Sequence, residues 1–375
     1  MTDSQIIVNN RNYGNTDVDR RGIERYAQNQ GPVVAFLFTA LSLIFGAVVT
    51  LNRLLFRAGI RRSRSVGPPV VSVGNIAVGG GGKTPIVVWI ADILKDRGVK
   101  AAVLSRGYSR KGSGILVLEG RTGENDPDPE QYGDEPCLIF KRTGLPVYIS
   151  TNRYDAAAAA QSEDDVDIFI MDDGFQHYPL KRDLDIVTLD NRRRLGNGKL
   201  IPAGILRESA GRLTDADLVV VTKAGSVDDA FSDHISAFTD APVCWADYRV
   251  TGLVRGTSET LLPADLLAGR RFVAFSGIAD PASFESLAGN LPGEMVESAR
   301  FRDHHFYNLD DVNELDRLAI SLDATALVTT EKDMVRWPVQ DPGIECYALV
   351  ADPVFLKGEE IVLRKIFSLL EKEFD

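Results

Sequence analysis

The sequence predicts an α/β fold. A mainly parallel sheet with helices on both faces comes first, a second, smaller α/β domain follows it, and an apolar helix precedes both. Three observations predict this. From residue 69 onward, apolar strands alternate with helical stretches, the pattern of a sheet whose crossovers are helices. A glycine-rich loop, Ala77-Val78-Gly79-Gly80-Gly81-Gly82, lies between the first strand and the first helix of that series. Ahead of it the stretch Pro32–Leu51 is apolar, with no charge anywhere from Tyr26 to Asn52.

Composition narrows the class. A chain of 375 residues is long enough for two domains with separate cores. Its 44% hydrophobic and 25% charged residues are those of an ordinary globular protein. A net charge of −11 argues against nucleic acid as a partner. The three cysteines, Cys137, Cys244 and Cys346, fit neither a zinc spacing nor a disulfide framework, which suits a reducing cytosol. No repeat of fixed period occurs, and nothing indicates an oligomer.

Taken in order, residues 1–30 form a polar extension without apolar periodicity, expected to be weakly ordered. Residues 31–65 hold the apolar helix and a basic flank with Arg53, Arg57, Arg61, Arg62 and Arg64. The helix is long enough to cross a bilayer, and the flanking arginines place that side in the cytoplasm. A helix lying in the interface and a buried core helix are the alternatives. Residues 66–240 form the main α/β domain, with strands expected at Pro69–Val73, Val99–Leu104, Pro146–Ser150, Val166–Met171, Leu184–Leu189 and Leu218–Val221. Residues 241–269 read as a linker, with a hairpin as the alternative. Residues 270–375 form the smaller α/β domain, with strands at Phe272–Phe275, Ala326–Thr329 and Cys346–Val350 and an amphipathic helix from about Glu359.

The strand–loop–helix order around Val78, Gly79, Gly80, Gly81, Gly82, Lys83 and Thr84 is that of a P-loop. Glycines let backbone N–H groups curl toward a phosphate, the lysine supplies a point charge, and the threonine hydroxyl can hold Mg²⁺. The strict pattern asks for glycine where Ala77 stands. Asp172 and Asp173 end a buried-looking strand and are candidate Mg²⁺ ligands. Strand alternation sends the two to opposite sides, and a pair of solvated acids is the plain alternative. Asp134, in Gly133-Asp134-Glu135, is a candidate base for an alcohol nucleophile, although Gly-Asp pairs are also ordinary turn chemistry. His304 and His305 lie in the second domain, where a histidine can reach a cleft between domains or simply sit satisfied in a loop. Arg192, Arg193, Arg194 and Arg207 form a basic stretch that suits an anionic substrate or a solvated face. Thr222-Lys223 ends a strand at a place where some P-loop proteins meet the nucleotide base.

Together these pieces resemble the tetraacyldisaccharide 4'-kinase family of lipid A biosynthesis in Gram-negative bacteria. The matching stretches, in order, are SVGNIAVGGGGKTP, LSRGYSRK, GDEP, MDDGFQH, LIPAGILRES, FSGIADPASF, FRDHHFY and TTEKD. The resemblance implies a P-loop NTPase-type fold and ATP with Mg²⁺ as cofactors. It implies transfer of the γ-phosphate of ATP to the 4'-hydroxyl of a tetraacyldisaccharide 1-phosphate, giving lipid IVA, at the cytoplasmic face of the bacterial inner membrane. Lys83 and Thr84 would be the Walker A pair, Asp172 and Asp173 the Walker B acids, and Asp134 the base paired with His304. Arg106, Asn152, Arg153, Gln176, His177, Arg207 and His305 would face the substrate. Ala77 and Gly81 stand where the family often has threonine.

The physical logic agrees. A substrate with four acyl chains leaves a bilayer only at a cost of about 0.8 kcal/mol per buried CH₂, so the enzyme must meet both membrane lipid and cytosolic ATP. Two further readings remain at this stage. One is a membrane-associated P-loop NTPase switch without a lipid acceptor; the other is a nucleotide-stabilised scaffold.

Overall fold

The computed structural model describes residues 7–8, 31–120, 127–163, 165–256, 258, 260–338 and 343–371. The order expected of the extension 1–30 falls outside these residues, apart from Ile7–Val8. The elements begin with β1 (Ile7–Val8), α1 (Pro32–Arg57), β2 (Val70–Asn75), α2 (Lys83–Asp96), β3 (Ala101–Ser105) and β4 (Leu116–Leu118). They continue with α3 (Pro129–Tyr132), α4 (Asp134–Thr143), β5 (Val147–Ile149), α5 (Arg153–Glu163), β6 (Ile168–Asp172), β7 (Leu184–Asp190) and β8 (Leu218–Thr222). After these come α6 (Asp229–Ser236), β9 (Val243–Arg255), β10 (Leu261–Leu262), β11 (Arg271–Ser276), α7 (Pro281–Ala288) and β12 (Glu294–Arg300). The last are α8 (Leu309–Ser321), β13 (Ala326–Thr330), α9 (Glu331–Val335), β14 (Glu345–Lys357) and α10 (Glu359–Glu371).

One sheet holds all these strands, in the order β1-β12-β11-β13-β14-β9-β8-β7-β2-β6-β3-β5-β4, with β10 paired to β9 beside the path. At the centre of the first half, β8, β7, β2, β6 and β3 are parallel neighbours. Every residue of these five strands is buried, because helices cover both faces; that is why their sequences read as continuous apolar runs. The expected parallel α/β architecture is present.

The segment expected to be a linker turned out to be structural. β9 and β14, of 13 residues each, pair antiparallel along their length, from Tyr347 opposite Arg255 to Lys357 opposite Trp245. β9 also pairs with β8 of the first half, and β14 with β13 of the second. The two strands form a ribbon that makes the sheet continuous. The middle of β9, residues 247–251, is less buried than the stretches on either side of it, so the apolar pattern breaks there and reads as two fragments. The two alternating segments of that stretch are one strand, β9, and it is β10 that folds back on it, with Leu261 opposite Val254. The chain then crosses back: Val362 and Ile366 of α10 pack in the core of the first half beside Val71, Ile86 and Ile90.

α1 starts with proline at its first turn, a favoured position. Its 26 residues span about 39 Å, more than a hydrocarbon core of about 30 Å. Only 6% of its apolar window is buried, and Phe36, Leu43, Ile44 and Val48 are exposed. The core-helix alternative is therefore excluded. A narrow stripe docks the helix. Ser42 Oγ donates to the Leu200 carbonyl at 2.9 Å, and a Cβ at Gly46 would meet the Leu200 side chain at 2.7 Å. Below it, Arg57 pairs with Asp215 at 2.6 Å.

Candidate active site

The glycine loop leaves the buried end of β2 and turns into α2 at Lys83. Gly82 makes that turn with φ +71°, in the left-handed region that glycine alone adopts freely. A Cβ there would meet Tyr248 Oη at 2.1 Å, and the same hydroxyl donates to the Gly82 carbonyl at 3.0 Å. Thr222 Oγ1 donates to the Gly81 carbonyl at 3.2 Å, and Arg193 donates to that of Val78 at 2.8 Å. The loop's carbonyls are thus bound from behind.

Two carboxylates end β6 in different states. Asp173 pairs with Lys83 at 3.3 Å and Arg207 at 3.0 Å. Burial alone would raise its pKa, but these cations outweigh burial and hold it below the usual carboxylate range. Asp172 is 2% exposed, and its Oδ1 makes no hydrogen bond. Burial first, then Glu135 and Asp173, push it up to about 7. A buried carboxylate oxygen without a hydrogen-bond partner beside a phosphate loop is free to ligate a cation. Among the described residues no group of three His, Cys, Asp or Glu forms a metal cage. Asp172 fits Mg²⁺, which takes one or two carboxylates together with substrate phosphates, and Thr84 lines the same cleft.

Asp134 opens α4 and is 3% exposed. Its Oδ1 accepts the Glu135 N–H at 2.9 Å, and its Oδ2 lies 2.8 Å from His304 Nδ1. Burial would raise its pKa; His304, Lys332 and Arg336 overcome that and hold it at about 2. An ionised Asp134 accepts the Nδ1–H, which fixes the tautomer and leaves Nε2 as the basic nitrogen. His304 lines the cleft, whereas Asp134 stands behind it. His305 turns away, with Nε2 2.9 Å from Asp311 and its ring stacked on Phe301 at 4.8 Å.

These groups meet in one cleft of about 1280 Å³ between the halves, lined by the glycine loop, Asp172, Asp173, His304 and Lys332. Arg106, Arg153, Gln176, His177 and Arg207 also line it, as do Phe45 and Val49 of α1. Arg153 is buried, which lowers its pKa to about 10. His177 accepts the Arg153 N–H at 3.2 Å; burial and then Arg153 hold its pKa at about 3, so it is neutral. Gln176 donates to the Asn75 carbonyl at 2.7 Å, at the root of the glycine loop.

Two expected substrate residues lie elsewhere. Asn152 caps the start of α5, bonded to the Tyr154 N–H and Asp155, a local competition typical of asparagine. His305 is held by Asp311. The basic stretch is likewise engaged: Arg192 reaches Ser283, Arg193 the glycine loop and Arg194 Asp228. Lys223, read as a base contact, clasps Gly80 O at 2.9 Å, Asp190 at 2.8 Å and Asp280 at 2.6 Å. Tyr248, Glu135, Lys332 and Arg336 are site residues that the sequence reading missed. The motifs GDEP, which contains Glu135, and TTEKD, which contains Lys332, gave the signal for those two; Tyr248 and Arg336 lie in no quoted motif.

The sequence model of the tetraacyldisaccharide-1-P 4'-kinase family (LpxK) matches residues 34–368. The tetraacyldisaccharide 4'-kinase of Pasteurella multocida is 38% identical over 304 residues, covering 81% of this chain and 86% of that protein. That of Shewanella pealeana is 39% identical over 308 residues, covering 82% and 86%. Among solved structures, LpxK from Aquifex aeolicus in complex with ATP superposes with a TM-score of 0.71 at 29% identity, over 88% of this chain and 98% of that one.

Proposed function

The chain belongs to the tetraacyldisaccharide-1-P 4'-kinase family, and from this we propose that Asp134 and His304 together accept the proton of the substrate hydroxyl. The protein is an ATP-dependent tetraacyldisaccharide 4'-kinase of lipid A biosynthesis. ATP is its phosphate donor and Mg²⁺ the partner ion. The readings as a nucleotide switch or a scaffold are not favoured.

One observation carries the assignment of roles: an Asp–His pair at 2.8 Å faces a phosphate loop across one cleft. A switch has no need of a proton acceptor there; a kinase acting on an alcohol does. The hydroxyl oxygen attacks the γ-phosphorus as the bond to ADP breaks, and its proton passes to His304 Nε2. Asp134 stabilises the resulting imidazolium through Nδ1–H. Lys83 and the loop's N–H groups meet the charge on the transferred phosphoryl group. Thr84 and Asp172 would hold Mg²⁺, which supplies positive charge to the phosphate oxygens. Arg106, Arg153 and Arg207 offer cations to the substrate's own phosphate.

We also read 66–240 as the nucleotide half and 270–357 as the half that delivers His304, joined by the β9–β14 ribbon. The exposed face of α1 beds in membrane lipid at the cytoplasmic side of the inner membrane, and Phe45 and Val49 bring that face to the cleft mouth. The test is to incubate the protein with ATP, Mg²⁺ and tetraacyldisaccharide 1-phosphate and weigh the lipid products. A gain of one phosphate on the disaccharide supports the account. ATP turnover with unchanged lipid overturns it.

A further inference from the structure

α4 and α9 face each other from opposite halves and meet through charged pairs. Arg142 holds Glu331 at 2.7 Å, and Lys332 holds Glu135 at 3.0 Å. Two cations then converge on the Asp134 Oδ2 that His304 uses: Arg336 Nη1 at 3.5 Å and Lys332 Nζ at 3.7 Å. They are not equivalent. Arg336 is fully buried, bonded to the Asp333 carboxylate and to the Gly277 carbonyl at 3.0 Å; its place is in the framework of the second half. Lys332 lines the cleft, and its bonded carboxylates, Glu135 and Asp134, both belong to the first residues of α4.

The charged groups around Asp134 are therefore Glu135 on its own helix, His304 and Asp303 on the loop after β12, and Lys332, Asp333 and Arg336 on and just beyond α9. A carboxylate this buried favours its protonated form unless cations oppose it. Protonated, Asp134 no longer accepts the Nδ1–H of His304, and the ring loses the bond that turns Nε2 toward the cleft.

We propose that Lys332 is a positioning residue for phosphoryl transfer: reaching over from the second half, it sets a positive charge beside the Asp134–His304 pair and thereby keeps His304 Nε2 available to the hydroxyl. This rests on the reading of Asp134 and His304 given above. The motif TTEKD thereby acquires a role. The proton acceptor is complete only while the halves are together, since Asp134 lies on one and both His304 and Lys332 on the other.

The experiment is a set of kcat and KM profiles from pH 5 to 9, with melting temperatures, for the wild type, Lys332→Met, Lys332→Arg and Asp134→Asn. Losing the Lys332 charge makes the Asp134–His304 pair easier to protonate as a unit, and so moves the acid limb of kcat upward by about one pH unit. Activity returns at high pH, KM for the disaccharide stays within about twofold, and Lys332→Arg restores the limb. Should Lys332→Met melt early, Lys332→Gln keeps a donor for Glu135 without the charge and is profiled instead. A raised KM with an unmoved limb marks Lys332 as a substrate ligand and overturns the proposal. An equal loss at every pH marks a structural role and also overturns it. Full activity in Asp134→Asn removes the reading of the pair and this inference with it. An inactive Asp134→Asn beside an unmoved Lys332→Met limb removes only this inference.

Discussion

His304 Nδ1 stands 2.8 Å from Asp134 Oδ2, and the two residues are 170 positions apart on opposite halves of the molecule. The contact is a hydrogen bond between a buried carboxylate and a ring that lines the cleft, so it joins the fold to the chemistry.

The first prediction concerns acid. The folded-state pKa of Asp134 is about 2, below its ordinary 3.8. The stability this contributes is fully present above about pH 4 and is lost as the pH falls toward 2. At roughly 1.4 kcal/mol per unit, the contribution is on the order of 2 kcal/mol. Urea unfolding of the wild type and Asp134→Asn should show a gap that narrows between pH 6 and pH 3. A gap that is constant over that range would mean the carboxylate is not held down in the folded protein.

The glycine loop gives a paired prediction. Gly82→Ala brings a Cβ within 2.1 Å of Tyr248 Oη at a backbone φ of +71°, and overpacking of this kind costs roughly 1–3 kcal/mol before strain is added. At Gly80 a Cβ would meet nothing nearer than 3.9 Å. Without nucleotide, Gly82→Ala should melt about 1–4 °C lower than the wild type for a chain of this length, while Gly80→Ala melts with it. Equal melting of all three proteins would show that the turn is not packed as described.

The outward face of α1 supplies a third. Ile44 is 63% exposed near the middle of the helix. A lysine at such a depth costs about 2.5–3.5 kcal/mol in a bilayer, so Ile44→Lys should weaken flotation with phospholipid vesicles by about 100-fold while ATP binding is kept. Unchanged flotation would show that this face does not enter lipid.

How much of this was legible in the sequence depends on how local each feature is. The glycine loop, the strand before it and the Asp172-Asp173 strand end are contiguous, and their geometry follows from spacing. The parallel strands were legible because burial on both faces makes them mostly apolar, with a few buried polar residues such as Asp185 and Thr188. β12, with the sequence Glu294-Met-Val-Glu-Ser-Ala-Arg300, was missed because its partial exposure admits charge. β9 was split into fragments by its less buried middle. Asn152 and His305 do not line the cleft because each serves a neighbour, one capping α5 and the other bonded to Asp311. The pairing of Asp134 with His304 came from resemblance alone. No periodicity joins residues so far apart, and the cations behind Asp134 became visible only once the halves were seen together.

The most direct test of the central claim is a double-mutant cycle on Asp134→Asn and His304→Ala, read as kcat for phosphate transfer to the disaccharide at saturating ATP. If the two act as one proton acceptor, each single change lowers kcat by about 10²–10⁴-fold. The double variant then falls no lower than the weaker single one, because residues acting as a unit are not additive. Losses that multiply in the double variant, or a His304→Ala enzyme with full kcat, would contradict the account.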